Sequence, residues 1–251
     1  MVKELRADLG EDTSTRWWEP WRSRQEVRSQ VSGLARFLVT PETSQHRLFV
    51  WVRPPILPDK NLIVIPRDDD TAFGILHSRI HEVWALRKGS DLQDRPRYTH
   101  TSTFATFPFP EGLTPDVPAR DYADDPRAAK IASAAATLNQ LRENWLNPPE
   151  LVQRVPEVVS GFPDRLLPVT PTAEKALKAR TLTDLYNSRP AWLDLAHRNL
   201  DEAVADSYGW GDDWRNGALS DSEIIARLFK LNKVRAFRIP QTARAKRPKR
   251  L

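Results

Sequence analysis

The hydrophobic pattern of this chain changes between residues 118 and 124, which limits the folds that it can adopt. Before that point, apolar runs suited to β-strands occur at residues 37–40, 48–52 and 62–65, separated by proline-bearing turns. Residues 68–71 (DDDT) then predict a helix start, because acidic and hydroxyl side chains satisfy the first free backbone amides. Apolar residues follow at helical spacing as far as Gly89, which predicts one helix packed on the strands.

After residue 124 the pattern is helical. Pro126 suits the first turn of a helix, and its apolar stripe ends at residues 147–149 (NPP). Two more amphipathic helices are predicted at residues 177–186 and 190–208, the second closed by Gly209. Residues 220–223 (SDSE) form a capping box, which predicts a last helix through Leu231.

These patterns predict an α+β fold, in which a mixed β-sheet domain with packed helices precedes a small helical C-terminal domain. The predicted segments are a flexible leader at residues 1–15, the sheet domain at 16–118 and a long amphipathic helix at 119–150. A proline-containing connector at 151–171, the helical domain at 172–234 and a basic tail at 235–251 complete the chain.

Composition narrows the environment and the class of protein. The 251 residues include no cysteine, which excludes disulfides and thiolate metal sites. The sequence has no run of 18 apolar residues and no apolar signal core, so we predict no membrane partner and a cytoplasmic location. The net charge is +5, but residues 235–251 contain seven basic and no acidic residues. The basicity is therefore local, and global charge is a poor indicator of nucleic acid binding.

The common motifs of catalysis and cofactor binding are absent from the sequence. It contains no Gly-x-Ser-x-Gly elbow, no Gly-x-x-x-x-Gly-Lys phosphate loop and no Asp/Glu-x-Lys triplet. The single Gly-x-Gly, at residues 209–211, follows a predicted helix rather than a strand, which does not suit a cofactor loop. We therefore predict no catalytic residue and no cofactor-binding residue in this chain.

Two groups of residues raise the alternative of a metal site. Asp68, Asp69 and Asp70 supply the clustered carboxylates that hard cations prefer, but acidic residues that complement a helix N-terminus are the favoured interpretation. His77 and His81 are four residues apart, as zinc ligands on one helix face would be. Neither the glutamate of a His-Glu-x-x-His site nor a third ligand accompanies them, so we predict no metal site.

Residues 147–150 (NPPE) are similar in part to a motif of amino-methyltransferases. That motif, Asp/Asn/Ser-Pro-Pro-Tyr/Phe, holds the target amino group, and its aromatic residue stacks on the flipped base. Here Glu150 replaces the aromatic residue, and an alanine-rich helix precedes the motif where a strand is needed. A helix terminator is the favoured interpretation.

Three blocks of the sequence resemble one protein family. They are residues 37–51 (FLVTPETSQHRLFVW), 67–84 (RDDDTAFGILHSRIHEVW) and 95–110 (RPRYTHTSTFATFPFP), the last being the most specific. They resemble the target-recognition region of MmeI-like single-chain DNA methyltransferases, a class associated with restriction–modification and other phage defence. Residues 182–210 are similar to the C-terminal region of the same proteins, so the resemblance spans roughly residues 16–234. It implies that the predicted sheet domain is a target-recognition domain.

The resemblance implies a set of DNA-binding residues. Arg79 and Arg97 are the leading candidates for contacts to base edges. Other members are expected to position the DNA backbone or to line the strand face; they are Arg36, Arg47, Arg53, His77, Arg95, Tyr98, Thr99, His100, Thr101 and Thr103. The alternative for Arg47 or Arg79 is an ion pair with the Asp68–Asp70 cluster that holds the domain together. The aromatic residues Phe104, Phe107 and Phe109 are predicted to be core or interface residues rather than base wedges.

The predicted function is sequence-specific recognition of double-stranded DNA within a bacterial adenine-N6 methyltransferase or restriction–modification system. In the family, a methyltransferase domain with the S-adenosylmethionine loop and an Asn-Pro-Pro-Tyr motif lies upstream, and this sequence contains neither. We therefore expect a catalytic partner domain or subunit to bind S-adenosylmethionine and transfer the methyl group. Two alternatives stay open: a non-catalytic protein-interaction partner, and a cryptic S-adenosylmethionine-dependent methyltransferase. The basic tail is predicted either to add salt-sensitive affinity for phosphates or to serve as a solubilising end.

Overall fold

The computed structural model describes residues 25–92, 95–159 and 161–238, and it confirms the predicted α+β class. The first part of the described chain contains α1 (Gln25–Val31), β1 (Phe37–Pro41), β2 (Val50–Val52), β3 (Leu62–Ile65), α2 (Asp70–His77), α3 (Arg79–Lys88), β4 (Ser90–Leu92) and β5 (Arg95–Arg97). A π-type turn (His100–Phe104) and a 3-10 turn (Ala119–Tyr122) follow. The second part contains α4 (Pro126–Leu146), β6 (Val152–Val155), β7 (Arg165–Pro168), α5 (Pro171–Lys178), α6 (Leu182–Ser188), α7 (Ala191–Ser207), α8 (Gly211–Arg215) and α9 (Asp221–Arg238). The predicted leader and residues 239–251 of the predicted tail lie outside the described residues.

The central sheet has three strands in the order β2-β1-β3. Leu38 pairs with Trp51 on one side and with Ile65 on the other, and both pairings are antiparallel. All strand pairings among the described residues are antiparallel, whereas a mixed sheet was predicted. Because successive side chains of a strand point to opposite faces, Phe37 and Val39 pack in a small core with α1, while Leu38 joins the main core. The sheet is thus covered on both faces.

The single helix predicted through Gly89 is two helices, which meet at Ser78. The backbone of Ser78 is extended (φ −69°, ψ 153°), and its hydroxyl accepts a hydrogen bond from His81 N at 3.3 Å. Serine competes with helical hydrogen bonding and favours this capping geometry. The helical spacing of the apolar residues continues through the break, so periodicity alone does not reveal it. The predicted stop at Gly89 is confirmed, since Gly89 caps α3.

The main core runs through the sheet domain and the helical half without interruption. Helix α4 begins at Pro126, the residue predicted for its first turn, and Asp125 caps it. The helix packs against both α2 and α7. Ile131 and Leu138 of α4 are fully buried in the same cluster as Phe73 of α2 and Leu200 of α7. The predicted domain boundaries stay predictions, but the hydrophobic core does not stop at residue 118.

Two stretches of the second half differ from the expected pattern. The predicted connector at 151–171 contains the hairpin β6–β7, in which Val152 pairs with Pro168 and Val155 with Arg165. The helix expected at 177–186 is split into α5 and α6, because Thr181 caps a new helix through its hydroxyl, which accepts from Asp184 N at 3.1 Å. The hairpin was missed because its prolines favoured an irregular segment.

The last two helices follow the prediction more closely. Helix α7 ends at Ser207 and Gly209 follows with φ +75°, a left-handed conformation that favours glycine. Ser220 accepts a hydrogen bond from Glu223 N at 3.3 Å at the start of α9. The Glu223 side chain pairs with Arg227. Helix α9 continues to Arg238, well past the predicted end at Leu231. No helix among the described residues combines the length and the hydrophobicity that crossing a membrane requires.

Helices α2 and α4 pack closely at Gly74, which yields a first prediction. A Cβ atom at this position would lie 2.6 Å from Ile131 Cγ2 and 3.0 Å from Ala135 Cβ, both on α4. Alanine improves helix propensity by about 1 kcal/mol, but overpacking a rigid contact costs about 1–3 kcal/mol. We expect Gly74→Ala to lower the free energy of unfolding by about 1–2 kcal/mol in urea denaturation. The matched control is Gly33→Ala, where a Cβ would meet nothing within 4 Å, and a stability-neutral Gly74→Ala would contradict the close packing.

Candidate nucleic-acid interface

The residues predicted to contact DNA fall into three groups according to their exposure. Exposed positions are Arg53, Arg97, His100 and Thr101. Half-buried positions are Arg36, Arg47, Arg79 and Thr99, and buried positions are His77, Tyr98 and Thr103. Arg95 lies in β5, and its side chain is outside the described part of the chain.

His77 is a core residue, which corrects the prediction that it contacts DNA. Its Nδ1 donates to Phe73 O (3.2 Å), and its Nε2 accepts from Phe49 N (3.1 Å) and from Arg142 Nη1 (2.8 Å). Burial and the Arg142 cation lower the pKa of His77 well below its usual value, so the ring is neutral. Both ring nitrogens are used inside the protein, which leaves none for a ligand.

Tyr98 and Thr103 are also corrected to structural positions. The Tyr98 hydroxyl donates to His81 Nε2 (3.0 Å), and His81 Nδ1 donates to Leu76 O (2.8 Å). Burial lowers the pKa of His81 to about 3, which keeps it a neutral acceptor. Thr103 is fully buried, and its carbonyl accepts from Trp84 Nε1 (3.1 Å). These contacts hold residues 98–103 against helix α3.

Arg47 ties neighbouring segments of the sheet domain together. Its guanidinium donates to Thr40 Oγ1 (3.0 Å), to Pro41 O and to Pro96 O (3.1 Å), and it lies 4.9 Å from the Tyr98 ring centroid. Burial lowers the pKa of Arg47 to about 10, so the side chain is still a cation at neutral pH. The acceptors of these hydrogen bonds are one side-chain oxygen and two backbone oxygens of the β1 and β5 segments, which favours a structural role for Arg47.

The arginines that pair with the acidic segment are not the ones considered from the sequence. Arg36 pairs with Asp70 (2.9 Å) and stacks 3.8 Å above the Trp51 ring, and Arg67 pairs with Asp69 (2.9 Å). Asp69 also accepts from Ala72 N (2.8 Å), the helix-capping role expected for this segment. The described residues contain no group of three or more side chains arranged to hold a metal ion.

Arg79 joins three helices rather than standing free for a base edge. Its Nη1 pairs with Glu82 (2.6 Å), and its Nε and Nη2 bind the two carboxylate oxygens of Asp221 on α9. Its backbone amide donates to Asp201 Oδ1 (2.6 Å) on α7, a carboxyl whose pKa burial raises to about 7. A base contact from this side chain would require exchange of its carboxylate partners.

Arg97 is exposed and is oriented by a residue that the sequence analysis missed. Its Nε donates to Glu42 Oε1 (2.6 Å), and Nη2 contacts the same oxygen. The two backbones are also linked, because Thr43 and Arg97 form a β-bridge and Tyr98 N donates to Glu42 O (2.7 Å). Glu42 thus holds one edge of the guanidinium and leaves its Nη1 directed away from the pair. A glutamate directly after the end of a strand carries no sequence signal that marks this role.

The π-type turn presents several exposed polar side chains of the 95–110 block. Thr99 caps the turn through Oγ1, which accepts from Ser102 N (3.1 Å), and Thr106 Oγ1 donates to Ser102 O (2.6 Å). Between them His100 and Thr101 are exposed. Phe107 and Phe109 lie in the core, and Phe104 is partly buried beside them, as predicted. The phenylalanines anchor the turn, while its polar tip, formed by His100 and Thr101, faces solvent.

Two further positions complete the comparison with the sequence. Arg53 follows β2 and is exposed, and within the described residues its guanidinium has no hydrogen-bond or ion-pair partner.

Residues 147–150 end a helix, as predicted: α4 stops at Leu146, and Asn147 N donates to Glu143 O (2.8 Å).

Comparisons with known proteins agree on one relationship. Residues 1–111 match the family model described as the MmeI target recognition domain. The fold is similar to the solved structure of the type IIL restriction–modification enzyme MmeI in complex with DNA, with a TM-score of 0.53 and 21% sequence identity. That similarity covers 79% of this chain and 21% of the MmeI chain, so this chain spans about a fifth of the length of the protein it matches. No curated protein matches the sequence.

Proposed function

We propose that this chain, which contains an MmeI-like target recognition domain, is a sequence-specific double-stranded DNA recognition module of a restriction–modification enzyme. The observation that carries the proposal is the match of residues 1–111 to the family model. The exposed polar tip of the 95–110 block, next to Arg97, is a surface on which such recognition would take place.

Arg97 is the proposed reader of a base edge. Sequence is read in the major groove by side chains that present hydrogen-bond donors in a fixed geometry, and arginine pairs most often with guanine. The contact with Glu42 restricts the rotation of the guanidinium before DNA arrives, which reduces the entropy lost on binding. His100 and Thr101 are proposed to contact the DNA backbone or base edges beside it, and Arg53 is proposed as a phosphate contact.

MmeI is a restriction–modification enzyme, and this chain spans only a fifth of its length. We propose that methyl transfer to adenine N6, with S-adenosylmethionine as donor, takes place in a catalytic partner domain or subunit, in a cytoplasmic system of phage defence. The end of α4 at residues 147–150 supports this division, because a helix terminator does not supply the aromatic stacking residue that base methylation uses.

A binding selection with a randomised duplex library tests the recognition role of Arg97. We expect Arg97→Ala to lose discrimination at one base pair by about 1–3 kcal/mol, because its donors are not replaced. Glu42→Gln is expected to lose part of that discrimination, since a neutral amide orients the guanidinium less strongly. The matched control is Arg120→Ala, an exposed arginine on the 3-10 turn, which should leave the preference unchanged. An unchanged preference in Arg97→Ala would remove this residue from the proposed site.

One observation favours a second candidate function, interaction with another protein. The β6–β7 hairpin exposes several apolar side chains; they include Val158, Val159, Phe162, Leu166 and Leu167. If the folded chain binds no duplex DNA at low salt, the protein-interaction alternative is favoured instead. Calorimetry with S-adenosylmethionine tests the cryptic enzyme, and measurable affinity for the isolated chain would contradict the proposed division of labour.

A further inference from the structure

The end of the chain carries charge of a single sign. After Glu223, residues 224–251 contain ten Lys or Arg and no Asp or Glu. A block of like charges repels itself and is stabilised by an anionic partner. Within this block the structure describes residues 224–238, which form most of helix α9. The contacts of this helix show where it lies relative to the candidate interface.

Carboxylate partners neutralise the positive charge in the first turns of α9, but no described carboxylate pairs with the cations of its later turns. Arg227 pairs with Asp213 (2.7 Å) and with Glu223 (2.6 Å). One turn further, Lys230 and Lys233 are exposed, and neither forms an ion pair with any side chain that the structure describes. The free cations therefore occupy the C-terminal half of the helix.

Hydrogen bonds place this half of α9 beside the exposed turn of the recognition block. Asn232 Nδ2 donates to Thr106 O (2.7 Å), and Arg235 Nη1 donates to Phe109 O (2.6 Å). Thr106 in turn donates to Ser102 O, next to the exposed Thr101. The helix and the polar tip are thus connected through one residue.

A third cation joins the same surface from helix α3. The ammonium group of Lys88 lies 5.1 Å from the ring centroid of Phe229 on α9 and 5.4 Å from that of Trp84. Residues four apart lie on the same side of a helix, so Lys233 lies one turn beyond the contact that Lys88 makes with Phe229. Within the described chain Lys88 has ring contacts but no carboxylate partner.

We propose that Lys88, Lys230 and Lys233 form a phosphate-binding surface that contacts the DNA backbone while the recognition block reads the bases. This inference rests on the proposed function and extends it to a part of the chain beyond the matched target recognition domain. The surface binds phosphodiester groups by charge, so it adds affinity without sequence preference. The single sign of the charge over residues 224–251 favours a polyanion such as duplex DNA as the partner.

The test is the salt dependence of duplex binding by the full chain. Each phosphate contact contributes about 0.9 to the slope of log K against log salt concentration. We expect Lys230→Gln with Lys233→Gln to reduce the slope by about 2, and affinity at low salt by a factor on the order of tens, while the base preference stays unchanged. Lys230→Arg with Lys233→Arg should restore the slope. The matched control is Lys175→Gln with Lys178→Gln, which removes the same charge from α5.

The outcomes separate this inference from the proposed function. An unchanged slope in the Lys230 and Lys233 double variant, with sequence-selective binding intact, would overturn the phosphate surface alone. An equal loss of slope in the α5 control would also overturn it, because the effect would then reflect total charge rather than position. Absence of duplex binding by the unmodified chain would overturn both.

Discussion

Replacing Arg142 by alanine is expected to lower the free energy of unfolding by about 3–5 kcal/mol, one of the two largest effects we predict. Arg142 is 2% exposed, and its Nη2 donates to Phe49 O (3.2 Å) while Nη1 donates to His77 (2.8 Å). Alanine leaves a cavity beside both partners and leaves the Phe49 carbonyl without this donor. Urea denaturation monitored by circular dichroism measures the change.

A second substitution at the same position separates packing from charge. The buried guanidinium has no carboxylate partner among the described residues, so its desolvation offsets part of what its hydrogen bonds contribute. Arg142→Met fills the same space without that cost, and we expect it to lose less than half of what alanine loses. Arg198→Ala on the exposed face of α7 is the control and should change stability by less than about 0.5 kcal/mol. A loss below about 1 kcal/mol in Arg142→Ala would contradict this account.

Replacing Trp84 by alanine should be similarly destabilising, by about 3–5 kcal/mol, and should also disorganise the candidate interface. The side chain is fully buried, its Nε1 donates to Thr103 O (3.1 Å), and its ring contacts Phe107 and Phe229. It therefore joins α3 to the π-type turn and to α9.

Trp84→Phe tests the hydrogen bond with less disturbance of the core. We expect a loss of about 1–2 kcal/mol, together with faster amide hydrogen exchange at residues 100–106, because the turn loses its anchor. Phe229→Ala is the control, since this half-exposed ring contacts the same indole from α9 and should leave exchange in the turn unchanged. Unaltered exchange in Trp84→Phe would show that the turn holds itself in place.

The second half of the chain shows how far local pattern predicts structure. Helices α4 and α7 were predicted close to their ends, because proline, capping and glycine signals act within a few residues. The break at Ser78 was missed, since the apolar spacing continues across it. The β6–β7 hairpin was missed because the prolines of residues 151–171 favoured an irregular connector.

The candidate site was predicted at the level of a segment and not of individual side chains. The sequence placed residues 95–110 at the interface, and the exposed His100 and Thr101 suit that role. Of the two leading arginines, Arg97 is exposed and pairs with Glu42. Arg79 pairs with both Glu82 and Asp221. Each of these partners except Glu82 is more than 50 residues away along the chain, so no local pattern identifies it.

Local signals in the sequence were enough for the fold class, the strands of the central sheet and the boundaries of α4 and α7, because turns, caps and periodicity are local properties of the chain. Which polar side chains remain available to a ligand depends instead on the tertiary structure. His77, Tyr98 and Thr103 have the chemistry of DNA contacts, yet they lie in the core, where their hydrogen bonds are satisfied within the protein. Whether a side chain faces solvent depends on what packs over it, and that is set by segments distant in sequence.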